Sequence, residues 1–221
     1  PSVNRFWEGV LLLQRSRWTA AVQSFKAGLL GTRARFGLGI SMVKQLLATG
    51  RVTEAEDFAR AAFSGFKASA VDTEMAKAVA ETLHAGLVPA AYVSAVADLG
   101  VRTARAALSV NPSDTWILTQ LAEVQFAAGR IDDAIQTYDK ALQDLPGDSG
   151  VENNQAYLLA LTGRDPERAT RLVEAAIHRE PSHNVFYLDT LGWIQYGQGR
   201  LEDAERNIHA ALVRADFTTP G

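Results

Sequence analysis

The side chains that could perform acid–base or metal chemistry are scattered along the 221-residue chain. A catalytic centre or a metal site needs several such groups at one point. The two closest histidines flank Pro181 instead of standing at positions i and i+4 on one helical face. We therefore predict no catalytic residue, no metal and no cofactor. The four histidines are His84, His178, His183 and His209.

Two further kinds of chemistry are disfavoured by what the sequence lacks. The chain has no cysteine, which removes disulfides, thiolate metal ligands and thiol nucleophiles but leaves reducing and oxidising compartments open. Gly37 and Gly39 share the first spacing of a nucleotide-binding loop, but the third glycine is missing and no Gly-Lys-Ser/Thr occurs. Nucleotide binding is not expected, and the compartment stays unassigned.

A membrane anchor is not expected either. The longest nearly uncharged stretch, residues 85–97, is interrupted by Pro89 and Ser94. It falls well short of the roughly 20 apolar residues that span a bilayer. Residue 1 is Pro instead of Met and no signal-peptide pattern follows, which indicates an excised or processed piece of a longer protein.

Repeated helices must position whatever surface the protein uses. A motif of Gly, Arg, a hydrophobic residue, any residue, an acidic residue and Ala occurs at residues 50–55, 129–134 and 199–204. A looser copy, one residue longer, spans residues 163–169. Small or apolar residues follow the Ala of each copy at offsets of four, seven and eight. These offsets place them on one face of a helix.

The repeat period is 34 or 35 residues. Ala21 lies 34 residues before Ala55, and Ala134, Ala169 and Ala204 follow each other in steps of 35. A glycine after the first helix of a unit can adopt the left-handed conformation that ends it. Small alanines then let the second helix approach the first closely. The pattern predicts a helix-turn-helix unit in five copies.

The prolines fit the same units. Pro112, Pro146 and Pro181 keep nearly the same step and should follow the second helix, because proline cannot continue a helix. In the looser copy, Asp165 is predicted to cap the second helix. Pro166 would then occupy the first turn, where its missing N–H costs nothing.

A unit of about 34 residues with this order of Gly, Ala, aromatic, Ala and Pro resembles the tetratricopeptide repeat (TPR) family. Residues 115–215 match that pattern best. The sequences at residues 153–159 and 188–193 also resemble the last repeats of bacterial TPR proteins, many of them tied to the cell envelope and to exopolysaccharide or secretion machinery. The resemblance implies an all-α, right-handed superhelical solenoid of about six units, five regular and one extended.

One unit departs from the period. Ala62 and Ala107 are 45 residues apart, more than one repeat. We predict a stretched helix pair at about residues 70–88 and 90–110 inside one continuous solenoid, residues 1–221, because the segment lacks the Pro, Gly and Ser richness of a linker. The alternative is a division into a basic part, an extended unit and an acidic part, at residues 1–69, 70–112 and 113–221.

The net charge of −3 hides a strong asymmetry. Residues 1–70 carry ten Lys+Arg against four Asp+Glu, whereas residues 71–221 carry twelve against twenty-one. Such a dipole would steer an acidic partner to the first part or a basic partner to the second, although an unevenly charged solvated surface explains it equally well. Nucleic acid is not predicted as a partner, because the aromatics of the basic part lie mostly at core positions of the repeats. They are Phe6, Trp7, Trp18, Phe25 and Phe36.

The TPR resemblance also implies where a partner binds. In such proteins the first helix of each unit lines a concave surface that holds extended peptides or partner helices. Here that surface would combine aromatic anchors with amides that can pair with a peptide backbone. For Trp116, Phe186 and Trp193, packing between helices is the alternative. Asn153 and Asn154 favour binding, since adjacent amides gain nothing from burial alone. The inward residues are Trp116, Gln120, Glu123, Phe126, Asn153, Asn154, Tyr157, Phe186, Asp189, Trp193 and Tyr196.

The predicted function is a non-catalytic scaffold that binds a protein or peptide segment in a bacterial multi-protein assembly. A chaperone-tail adaptor is disfavoured, because the positions that hold Lys and Arg in such TPR domains are mostly apolar in the first two units. No polar helix covers the last pair, which predicts that this end packs on another subunit, on further repeats or on a partner. Two alternatives stay open: a regulatory or substrate-recruiting arm of a larger enzyme such as a glycosyltransferase or kinase, and a self-assembly module. The clamp positions are Phe6, Val10, Ile40 and Lys44.

Overall fold

The chain folds entirely into helices and turns. The computed structural model describes residues 2–15, 17–28, 32–63, 66–181 and 184–215. Over these ranges it forms twelve α-helices, one 3-10 turn at Ala90–Tyr92 and no strand, which confirms the predicted all-α class. The helices are α1 Ser2–Gln14, α2 Trp18–Gly28, α3 Thr32–Ala48, α4 Val52–Ala62, α5 Ala68–His84, α6 Val93–Leu108, α7 Thr115–Ala127, α8 Ile131–Asp144, α9 Ser149–Thr162, α10 Pro166–Arg179, α11 Asn184–Gly197 and α12 Leu201–Arg214.

Two compact units make up the chain. The first, Pro1–Arg130, contains α1 to α7, with α1 packed on α2, α3 on α4 and α5 on α6. Within it α5 also contacts both α3 and α7, so the first helices of successive pairs are neighbours. The second unit, Ile131–Gly221, contains α8 to α12, with α9 packed on α10 and on α11, and α11 on α12. The finer divisions after residues 69 and 112 stay predictions.

Glycine ends the first helix of a pair as predicted. After α9, Gly163 takes a left-handed φ of 65°, which glycine adopts without the steric penalty of a Cβ atom. The N–H of Arg164 then donates to the carbonyl of Leu159 at 2.9 Å and satisfies an acceptor at the helix end. The other motif glycines have φ of 74° or 75°; they are Gly50, Gly129 and Gly199.

Aspartate side chains start three helices. The predicted cap at Asp165 is confirmed, because its Oδ1 accepts the N–H of Arg168 at 3.0 Å and Pro166 stands in the first turn of α10. Asp114 and Asp148 accept the corresponding N–H groups at the starts of α7 and α9. A cap of this kind contributes about 1 kcal/mol, so α7 and α9, which carry predicted binding residues, begin at defined positions.

Small residues mark the closest helix contacts. The motif alanines of the four copies are buried, as the repeat predicted. Two glycines allow still closer approach: a Cβ atom on Gly100 of α6 would lie 2.6 Å from Val79 of α5, and one on Gly192 of α11 would lie 2.5 Å from Ile208 of α12. The alanines are Ala55, Ala134, Ala169 and Ala204.

The stretched pair lies where it was predicted. Helices α5 and α6, with the 3-10 turn before α6, occupy the segments expected at about residues 70–88 and 90–110. The extra length is used for packing, since Met75, Val79 and Leu99 are all buried in the core of the first unit.

Trp7 is an exception to the core positions expected for most aromatics of the N-terminal part. Trp7 is 58% exposed. The side chains of the other four, Phe6, Trp18, Phe25 and Phe36, lie outside the described residues.

The arginine of the repeated motif links neighbouring helix pairs. Arg130 pairs with Asp98 at 2.5 Å, and Arg164 pairs with Asp132, which is likewise 32 residues earlier. Arg200 instead pairs with Asp203 in its own helix. Sequence reasoning found this arginine in the motif but assigned it no role.

Candidate protein-binding surface

The predicted residues of α7 form one partly exposed strip, which we call the α7 face: Trp116, Gln120, Glu123 and Phe126. Spacings of three and four residues place them on the same side of the helix. The opposite side is buried through residues such as Ile117, Leu121 and Val124. The α7 face is therefore available to a partner while the rest of the helix holds the core.

The Trp116 ring is in contact with a cationic side chain of the same unit. Lys77 Nζ of α5 lies 5.8 Å from the centroid of the Trp116 ring, in the range of a cation–π contact. The same ammonium lies 3.9 Å from Glu81, which also pairs with Lys44 of α3. Because 42% of Trp116 is exposed, its ring keeps surface for a further contact beyond the one with Lys77.

Glu123 is the one carboxylate of the α7 face, and it is partly buried. Burial raises the pKa of its carboxyl above the ordinary value of 4.5, and the repulsion of Glu81 adds to the rise while His84 opposes it. No described residue donates a hydrogen bond to this carboxylate or forms an ion pair with it. A half-buried acid without a partner is costly, so the site favours a cation or a proton.

The second unit presents a larger set, which we call the α9–α11 face: Asn153, Asn154, Tyr157, Phe186, Asp189, Trp193 and Tyr196. Its α11 part is an aromatic strip. Phe186, Trp193 and Tyr196 are 69%, 47% and 60% exposed, and Trp193 meets Tyr196 edge to face with ring centroids 6.1 Å apart. Asp189 lies exposed on the same strip.

The α9 part of this face is amide-rich. Asn153, Asn154 and Tyr157 are all partly exposed. The Oδ1 atom of Asn153 is buried and accepts no hydrogen bond from any residue that the structure describes. Because an unsatisfied buried amide oxygen costs free energy, this atom does not stabilise α9, and the role of Asn153 in binding stays a prediction.

A polar cluster around the buried Gln155 of α9 was not predicted. Gln155 is fully buried, and its Nε2 donates to Asp139 Oδ1 of α8 at 2.8 Å. Arg168 of α10 donates to the same aspartate and, at 3.3 Å, to Oε1 of Gln155. The cluster joins α8, α9 and α10 through Gln155, the residue after Asn154. Only the glutamine at a core position of α9 could have signalled it.

A groove at the stretched pair was also missed. A cavity of about 520 Å³ lies between α4, α5 and α6, with an aromatic floor and a charged rim. In its floor Phe63 meets Phe66 edge to face at 5.9 Å. On its rim Glu56 pairs with both Arg60 and Arg102. Nothing in the local sequence indicates it, because its walls come from residues up to 50 positions apart.

Sites of other kinds are not assembled by the described residues. No three of their His, Asp and Glu side chains come together as a metal site would require, and His183 is outside the description. Nor is any helix within the described ranges both long and apolar enough to cross a bilayer.

Comparison with known proteins identifies the fold. Residues 100–156 match the family model for the tetratricopeptide repeat. None of the curated protein sequences matches the chain. Two similar solved structures are a tetratricopeptide repeat protein from Parabacteroides merdae (15% identity, 96% of this chain and 79% of that chain, TM-score 0.60) and TTC0263, a thermophilic TPR protein in Thermus thermophilus (16%, 99% and 93%, 0.57).

A third similar structure is MamA 41-end from Desulfovibrio magneticus. It is 14% identical, covers 86% of this chain and 100% of its own, and has a TM-score of 0.57. At these identities the similarity is one of fold. Together with the family model over residues 100–156, it supports a TPR-like fold.

Proposed function

We propose that this protein is a non-catalytic TPR scaffold that docks segments of other proteins, on the α7 face of the first unit and, separately, on the α9–α11 face of the second. The observation that carries the proposal is the exposed aromatic strip of α11. Phe186, Trp193 and Tyr196 leave about half or more of their surface in solvent on one side of one helix. Large aromatics in such a row are the residues that most often anchor protein–protein contacts.

The chemistry of the two faces suits a peptide. Aromatic rings bury a large area at small entropic cost, and the neighbouring amides of Asn153 and Asn154 can pair with main-chain groups of any sequence. TPR folds are general protein-interaction scaffolds, which supports the same assignment. The finer context, a bacterial assembly of envelope, secretion or polysaccharide machinery, rests on the resemblance of residues 153–159 and 188–193.

A pull-down with the complete chain tests this proposal. The double variant Trp193→Ala, Asn154→Ala should lose partners that the unaltered chain retains. The matched control is Leu145→Ala, which removes a comparably exposed apolar side chain from the same unit but off the proposed face. Equal retention of every partner by the double variant and the control would refute docking on the α9–α11 face.

Self-assembly is a second candidate, favoured by α12. Leu212 and Val213 of this last described helix are 55% and 67% exposed. Adjacent exposed aliphatic residues can bury their surface against a second copy. Light scattering over a hundredfold range of concentration should then show a rising mass that the Leu212→Ser, Val213→Ser variant abolishes. A constant monomer mass would eliminate this candidate.

A further inference from the structure

We infer that a segment docked on either face presents a basic side chain flanked by apolar residues, with its cation on Glu123 at the α7 face or on Asp189 at the α9–α11 face. This inference deepens the proposed function and rests on it. It specifies the chemistry of the partner, a Lys- or Arg-bearing peptide segment, for each face separately.

On the α7 face the arrangement around Glu123 is incomplete without a cation. Lys44 and Lys77 both pair with Glu81, and His84 attracts the Glu123 carboxylate only through space. Glu123 receives neither a hydrogen bond nor an ion pair from the described residues. A carboxylate that has already lost part of its hydration gains more from an incoming charge than a fully solvated one does.

The neighbours of Glu123 suit the stem of a basic side chain. Trp116 lies two turns before it and Phe126 one turn after it on the same strip. Lys77 already shows that the Trp116 ring accepts an ammonium group at 5.8 Å. Lys and Arg bury their methylene stems on apolar surface while the charged head reaches a polar group, so one incoming residue can use both features.

Helix α11 repeats this arrangement in the second unit. Asp189 stands between Phe186, three residues before it, and Trp193, four residues after it. No described residue pairs with its carboxylate, and both rings are exposed. A carboxylate with aromatic rings before and after it on the same strip therefore occurs independently on both faces.

Charge in the second unit disfavours an acidic partner. Residues 131–221 carry fifteen Asp+Glu and eight Lys+Arg. Five of the arginines are already held by carboxylates: Arg164 by Asp132, Arg168 by Asp139, Arg179 by Glu152, and both Arg200 and Arg206 by Asp203. An incoming anion would meet repulsion on this face, whereas an incoming cation would be steered to it.

Selection from a random library of displayed twelve-residue peptides tests the inference. The targets are the complete chain, the double variant Glu123→Gln, Asp189→Asn, and the control Glu74→Gln, Glu205→Gln, which removes two carboxylates that lie off both faces. Peptides selected on the complete chain and on the control should be enriched in Lys or Arg next to apolar residues. The same peptides, made synthetically, should bind the double variant about tenfold more weakly, the loss expected for one charge-assisted contact.

Two further variants separate the two ways in which the test can fail. Weaker binding of the selected peptides to the Trp116→Ala and Trp193→Ala chains supports the proposed function. If those peptides nevertheless show no enrichment in Lys or Arg, or bind the Glu123→Gln, Asp189→Asn chain as tightly as the unaltered chain, the inference is overturned and the proposed function stands. If no peptide is selected, or binding is indifferent to both tryptophans, the inference and the proposed peptide docking are both overturned.

Discussion

Gly100 of α6 lies so close to Val79 of α5 that a Cβ atom on the glycine would stand 2.6 Å from the valine Cγ1. Val124 of α7 would be almost as near, at 3.0 Å. Three helices of the first unit thus meet at one residue without a side chain. Because none of these neighbours is a flexible chain end, the contact leaves no room for even a methyl group.

Gly100→Ala should therefore destabilise the protein by about 1–3 kcal/mol, the usual cost of overpacking a core. Urea unfolding followed by circular dichroism measures the change. The control is Gly37→Ala in α3, where an added Cβ meets nothing within 4 Å. There the higher helix propensity of alanine should stabilise the protein by up to about 1 kcal/mol. A Gly100→Ala chain as stable as the unaltered one would contradict the close approach of α5 and α6.

Glu123 makes stability depend on pH in a defined direction. Burial raises the pKa of its carboxyl in the folded chain, so the free energy of unfolding falls as pH rises from the ordinary value of 4.5 through the raised value. Glu123→Gln should be more stable than the unaltered chain at pH 7, and the difference should vanish below pH 4.5. The groups of α5 that act on it, Glu81 and His84, remain in both chains. Melting temperatures at several pH values test this, and a difference that grows toward acid pH would contradict it.

Gln155 should be sensitive to loss of its amide. In the Gln155→Leu chain, Asp139 and Arg168 each lose a buried hydrogen-bond partner, which should cost about 1–3 kcal/mol. Gln198→Leu is the control: its exposed amide donates to Thr170 at 3.2 Å, and replacing it should change stability by less than about 0.5 kcal/mol. Denaturant titration of both variants distinguishes them. Similar losses of unfolding free energy in the two variants would show that the Gln155 amide contributes no more to stability than an exposed amide does.

Arg164→Ala should cost little. Its pair with Asp132 is exposed on both sides, and such pairs contribute at most about 1 kcal/mol. That small loss should shrink further at a salt concentration of about 1 M, because exposed pairs are screened. Thermal melts at low and high salt provide the measurement. A large, salt-independent loss would mean that Arg164 packs its stem against the helix pair instead of acting through its charge.

The features predicted from sequence are those that depend on neighbours along the chain. The turn at Gly163, the cap at Asp165 and the end of α10 before Pro181 all follow from local backbone chemistry, and all are present. The stretched pair follows from the 45-residue interval between Ala62 and Ala107, and its two helices lie within a few residues of the predicted bounds. Phe186 and Trp193 are exposed, and their place on an inward surface and their role in binding stay predictions.

The features that escaped prediction depend on residues that only the fold brings together. Asp132 is 32 positions from Arg164, and Asp139 is 29 positions from Arg168. The groove at the stretched pair likewise joins Glu56 to Arg102, which is 46 positions away. Periodicity indicates which side of a helix is buried, but it does not indicate which side chain of another helix lies opposite.

The turn glycines differ in how freely repeats could be exchanged by design. An added Cβ meets nothing within 4 Å at Gly129, Gly163 or Gly199, so a transplanted turn needs only a residue that tolerates the left-handed conformation, such as asparagine. At Gly50 the same atom would lie 2.3 Å from the ring of Tyr92. A chimaera that replaces the second pair of helices must therefore keep this glycine or also change Tyr92. The stretched pair and the turn before α4 have to be exchanged together.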